Sequence, residues 1–157
     1  RNKIKIEATL RKVGISFVLA FKLIHKGGNS MITYQEYLKN EAALSVEQAE
    51  RIYQAIVNEK HMADREFQRL FSVMQERAVT YVGYRGKWLT MTLQERLEVD
   101  ETRSRHHDLF IKAKNDLAKY MYENKLSIDW EDELGENRKR VGDFACYMVF
   151  LMSLMRK

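Results

Sequence analysis

Proline is absent from the 157 residues, cysteine occurs once and glycine only seven times. Without proline the chain has no residue that forcibly ends a helix, and so few glycines leave little turn punctuation for a sheet-rich fold. The lone Cys146 excludes an intramolecular disulfide, so the fold must rest on buried apolar surface, which a chain of this length supplies without staples. A single cysteine in the most apolar stretch also fits a reducing compartment. Long apolar runs are missing too. The longest charge-free one, the twelve residues from Phe144 to Met155, falls short of the roughly 20 that cross a bilayer, and Val13 to Phe21 is shorter still. Basic residues precede an apolar stretch near the start, as in a signal peptide, but Gly27-Gly28-Asn29 is not the usual small-residue cleavage site. These absences predict a single all-α domain over residues 1–157, soluble and cytoplasmic, without membrane insertion.

Apolar periodicity sets out six or seven helices. Ile6, Leu10, Val13, Phe17, Ala20, Leu23 and Ile24 recur at steps of three and four and predict a first helix over Asn2 to Lys26, unless the alternation of Ile4 and Ile6 makes its first residues extended. Lys5 and Lys12, seven apart, share one side of that helix; Arg1, Arg11, Lys22 and Lys26 lie near its ends, and only Glu7 offsets them. Gly27-Gly28-Asn29 closes it. Two capping-box patterns follow. Thr33 with Glu36 opens a short helix to about Asn40, and Ser45 with Gln48 opens one carrying Ala49, Ile52, Tyr53, Ile56 and Val57. Asp64 caps the next, with the face Phe67, Leu70, Phe71, Met74, Ala78 and Tyr81. Gly83 and Gly86 interrupt the pattern, so residues 81–88 read as a loop. Thr92 with Glu95 restarts a helix that runs to about Asn124, either as one bent helix or as two. Ser127 to Leu134 reads as a short acidic helix closed by Gly135. The final helix begins near Asn137 and is apolar on nearly every side, which makes it the central element around which the rest is packed.

The chain carries 27 Lys plus Arg against 22 Asp plus Glu, a net charge of +5 that leans toward polyanionic partners. The expected loop at 81–88 places Tyr84 and Trp88 between Arg85 and Lys87, the pairing of rings and cations that stacks on unpaired bases and draws their phosphates. Arg77 lies just upstream. The same rings could instead anchor a turn between two helices. Lys5, Arg11 and Lys12 form a second basic patch. A helix-turn-helix drawn through Thr33 to Val57 fails as a DNA reader, because Glu47 and Glu50 would meet the phosphates with the wrong charge.

His106-His107-Asp108 invites a metal or acid–base reading, but neighbours on a helix diverge by roughly 100°. They therefore do not make the i, i+4 pair that grips zinc. We expect surface or core-edge histidines, with Asp108 paired to Lys112 and no bound metal or cofactor. Cys146 has no base beside it. The acids Asp129, Glu131, Asp132, Glu133 and Glu136 abut Arg138-Lys139-Arg140, where Glu136 and Arg140 are spaced as an ion pair. Asp143, inside an apolar helix, needs a partner: Arg140, Arg105 or a helix end. Methionines 121, 148, 152 and 155 make the surroundings adaptable, and Phe150, Leu151 and Leu154 would form a dimer interface wherever other helices leave them uncovered.

The string Arg105-His106-His107-Asp108-Leu109-Phe110, with Asp116-Leu117, Tyr120-Met121, Trp130, Glu133-Leu134-Gly135 and Arg138 through Tyr147, resembles a family of small uncharacterised proteins of Gram-positive bacteria often found with phage and other mobile elements. It covers about the last third of the chain. The resemblance implies a bacterial, mobile-element context and supplies no catalytic residue. The function expected is therefore that of a non-enzymatic binding or regulatory protein that recognises nucleic acid, or a protein that handles it, through a basic and aromatic surface. A homodimer or interaction module assembled through the last helix is the alternative, and an enzyme using His106, His107 and Asp108 the third.

Overall fold

A computed structural model describes residues 42–88 and 91–154, apart from the side chains of Lys87, Trp88 and Leu154. The expected helices over Asn2 to Lys26 and Thr33 to Asn40, and the patch of Lys5, Arg11 and Lys12, lie outside the described residues. Those described form six helices and no strand: α1 (Val46–Ile56), α2 (Glu59–Met62), α3 (Arg65–Trp88), α4 (Leu93–Glu123), α5 (Asp129–Leu134) and α6 (Arg138–Leu154). None of these helices is long and apolar enough to cross a membrane. The all-α architecture follows the periodicity closely.

Local chemistry sets the helix ends. Ser45 and Gln48 close a reciprocal capping box on α1, and Thr92 and Glu95 do the same on α4. Asp64 accepts the Phe67 N–H at 2.9 Å and starts α3. Gly135 stops α5 with a φ of 74°, a left-handed conformation that costs glycine nothing. Between α1 and α2 the side chain of Asn58 accepts the His61 N–H at 3.0 Å, and His61 Nδ1 donates to the Ile56 carbonyl at 2.8 Å, so the turn satisfies its own polar groups.

The long pair α3 and α4 lie side by side and antiparallel. At about 1.5 Å per residue α4 spans about 46 Å and runs unbroken, which settles the choice between one helix and two. Asp64 at the start of α3 meets Tyr120 near the end of α4, while Tyr81 and Tyr84 meet His107 and His106. On this pair rests α6, in which every residue from Val141 to Val149 is buried. It shares one core with Phe67, Phe71, Met74 and Ala78 of α3, Ile52 and Tyr53 of α1, Phe110, Leu117 and Met121 of α4, and Trp130 and Leu134 of α5. Burying side chains of this size contributes about 1.5–3 kcal/mol each, so the packing of α6 on the rest is a major part of the stability of the described chain. Arg138 and Lys139 are exposed and Phe150, Leu151 and Ser153 half-buried, so α6 offers surface in its first turn and its last turns.

One expectation fails here. Residues 81–88 are not a loop; α3 continues through them to Trp88. A glycine inside a helix costs about 1 kcal/mol relative to alanine. Tyr81, Val82 and Arg85 are all buried beside Gly83 and Gly86, and burial of that face outweighs the local penalty.

Candidate functional site

The continuation of α3 rearranges the residues expected to share one exposed loop. In a helix, positions 81 and 85 fall on one face, while 77 and 84 fall on another. Tyr81 and Arg85 turn inward; Arg77 is exposed and Tyr84 half-buried. Arg85 is thus no surface cation. Its guanidinium donates to Asp143 at 2.7 Å, with side chains only 11% and 3% exposed. It also lies 3.8 Å from the Cys146 sulfur, with its central carbon 6.0 Å from the centre of the Tyr81 ring. Lys87 and Trp88 belong to the last turn of α3, and their side chains lie outside those described.

Asp143 therefore takes neither Arg140 nor Arg105. Its other oxygen accepts the backbone N–H groups of Ala43 and Leu44 at 2.5 and 3.1 Å, which pins the entry to α1 onto α6. Gly142 makes room for this arrangement: a Cβ there would lie 2.6 Å from an Arg85 nitrogen and 2.8 Å from the Tyr81 hydroxyl. Burial pushes the Tyr81 phenol and the Cys146 thiol above their ordinary values, so the thiol is a poor nucleophile.

The basic run at the start of α6 is also used structurally. Arg140 does not pair with Glu136; it donates to the carbonyls of Leu134 and Glu133 at 3.1 and 2.9 Å and of Ala43 at 3.1 Å. A guanidinium thus caps the orphan carbonyls that end α5. Arg138 reaches back to Asp108 at 2.8 Å, whereas Lys112 pairs with Asp116 at 2.8 Å rather than with Asp108. Glu133 pairs with Arg51 of α1 at 2.6 Å.

His106 and His107 diverge as adjacent helical positions must. His107 is buried against the edge of Tyr81, with ring centres 4.8 Å apart and planes at 84°. Its Nε2 donates to the Arg138 carbonyl at 2.8 Å, which assigns the tautomer and leaves Nδ1 buried and unpartnered among the described residues. Burial holds this imidazole below its ordinary value. His106 lies flat on Tyr84, with ring centres 4.8 Å apart and planes at 11°. Partial burial first, then the charges of Arg105 and Arg77, keep it low as well. No group of three metal-ligating side chains forms among the described residues.

What remains exposed is a seam between α3 and α4. The Tyr84–His106 stack forms its floor, and Arg77 and Arg105, both exposed, act on it electrostatically from the two helices. Among the described residues neither arginine has an ion-pair or hydrogen-bond partner. Of the expected contact residues whose side chains are described, Tyr84 belongs to this seam and Arg85 does not. Its pairing with His106 could have been read only by running α3 as a helix through both glycines and setting it antiparallel to α4. Compared with family models, curated proteins and solved structures, the chain matches none.

Proposed function

We propose that this chain is a non-enzymatic binding module that holds a polyanionic partner, single-stranded nucleic acid, against the α3–α4 seam. The observation that carries the reading is a pair of exposed arginines, without ion-pair partners among the described residues, beside an aromatic stack. Other cations near the core are neutralised: Arg85 by Asp143, Arg138 by Asp108, and Lys114, 3% exposed, by Glu131 at 3.6 Å. A partner that supplies phosphates would meet Arg77 and Arg105 with no ion pair to break among the described residues, and a base would stack beside the half-buried Tyr84. In the bacterial, mobile-element setting implied by the resemblance of the last third, such a module would occupy nucleic acid or restrain a protein that handles it.

The test is fluorescence anisotropy with a labelled oligothymidylate over a series of salt concentrations. Binding should weaken steeply with salt, and Arg77→Ala with Arg105→Ala together should reduce the slope of log K against log salt by roughly 1.4, about 0.7 for each phosphate that is no longer neutralised. Absent binding, or an unchanged slope, refutes the reading.

A second reading, a protein-interaction module, is favoured by Leu93 and Leu97, 75% and 67% exposed and one turn apart on α4. Light scattering at high concentration addresses its homodimeric form. A mass that rises with concentration and reverts in Leu93→Glu with Leu97→Glu supports it, and a constant monomer mass removes it.

A further inference from the structure

We propose that docking of a phosphodiester strand on the α3–α4 seam is coupled to proton uptake by His106, so that the partner is held more tightly as the pH falls. The inference rests on the binding reading above and adds a device to the same site.

The geometry supplies three elements. The His106 ring is held flat on Tyr84, so it cannot swing away from the charges around it. Its Nδ1 is buried with no partner among the described residues, so no internal acceptor or donor determines whether that nitrogen carries a proton. The charged groups acting on it are Arg105 from its own helix and Arg77 from α3, both of one sign. From α3 the ring also faces Tyr84. In the free protein these cations and the partial burial disfavour a third positive charge, and the imidazole stays below its ordinary value.

A phosphate bridging Arg77 and Arg105 reverses the balance. It cancels the repulsion that kept His106 neutral and adds an anion beside the ring, so the bound imidazole titrates at higher pH than the free one. The sign follows by linkage. The bound state takes up the proton first as the pH falls, so affinity rises through the bound pKa and levels off once the free protein is protonated as well. Each unit of difference between bound and free values is worth roughly tenfold in affinity. Neighbouring His107 does not face the seam: its ring lies against Tyr81, its Nε2 is engaged by Arg138, and the charges acting on it are Arg138, Arg85 and Asp108.

The experiment measures anisotropy of a fluorescein-labelled oligothymidylate at fixed ionic strength between about pH 8 and about pH 5.5, bracketing the ordinary histidine value. It compares the full chain with His106→Phe, which keeps a flat ring on Tyr84, leaves no orphaned nitrogen and cannot titrate. The ring-proton NMR titration of His106 is recorded with and without the oligonucleotide. The expected result is a gain of roughly three- to tenfold from the alkaline to the acid end for the unsubstituted chain, no such gain for His106→Phe whatever its affinity at the alkaline end, and a His106 midpoint raised by the oligonucleotide. If His106→Phe keeps the full pH dependence, or the midpoint does not move while binding still needs Arg77 and Arg105, the coupling is wrong and the binding reading stands. If the oligonucleotide binds at no pH, or binds without need of either arginine, both fall. Should His106→Phe not fold, the midpoint in the unsubstituted chain decides.

Discussion

Substituting Asp143 with alanine removes the acceptor from three donors at once. The Arg85 guanidinium loses the Asp143 carboxylate in a site where its side chain is 11% exposed, and the N–H groups of Ala43 and Leu44 lose their carboxylate oxygen. Breaking a buried pair from one side costs about 3–5 kcal/mol. The Leu44 N–H, beside a side chain 2% exposed, adds roughly 1 kcal/mol, whereas Ala43 is exposed and water replaces its acceptor. We therefore expect Asp143→Ala to lose about 5 kcal/mol. Arg85→Met is the informative contrast, because the Asp143 carboxylate still accepts the Ala43 and Leu44 N–H groups, and its cost should be lower by about 2 kcal/mol. The double replacement Arg85→Met with Asp143→Leu removes both charges and should lie much nearer the parent, since well-packed apolar substitutes for a buried pair are often neutral. Urea unfolding followed by far-UV circular dichroism gives all three values, and at roughly 2–4 °C per kcal/mol the first variant should also melt about 10–20 °C lower. A loss under about 1 kcal/mol for Asp143→Ala would mean that the ion pair does not hold α1, α3 and α6 together, and a double variant as unstable as the single one would mean that charge burial is not the cause.

Gly142→Ala should destabilise by about 1–2 kcal/mol although alanine is the better helix former, because the added methyl meets Arg85 and Tyr81, both too buried to move aside; a gain in urea midpoint would contradict this. Stability should decline as the pH falls below about 6.5, because unfolded His107 takes up a proton there while burial keeps the folded imidazole neutral. His107→Phe should flatten that decline between about pH 7 and about pH 5, as seen in urea midpoints across the range. Asp64 acts in the same direction in a more acid range. The Phe67 N–H first, then the Tyr120 hydroxyl, hold its carboxyl below the usual range, so its contribution is present above its unfolded value and fades in acid, and Asp64→Ala should cost about 1 kcal/mol at neutral pH and less at low pH.

Much of the fold can be read along the chain because the information is local. Ser45 with Gln48, Thr92 with Glu95, Asp64 and Gly135 act within one helical turn of themselves, and each ends or begins a helix where its spacing predicts. The periodic faces of α1, α3 and α4 form the core in the same way. The reading of α6 as an element covered on all sides also follows from composition, since a helix with no polar side has nowhere else to go.

The site is legible in the sequence only as ingredients. Tyr84 and Arg85 are adjacent, and nothing in that adjacency tells which one meets solvent. The answer depends on α3 continuing through Gly83 and Gly86, and that depends on the burial of Tyr81, Val82 and Arg85 beneath helices remote in sequence. Likewise Asp143 requires a cation, yet the one it finds lies 58 residues earlier, where only the packing of α6 on α3 could bring it. Short-range spacing names helices and their caps because hydrogen bonds one turn apart decide them. Which charge is neutralised and which is left for a partner is decided by the register of one helix on another, and that register exists only once the whole core has closed.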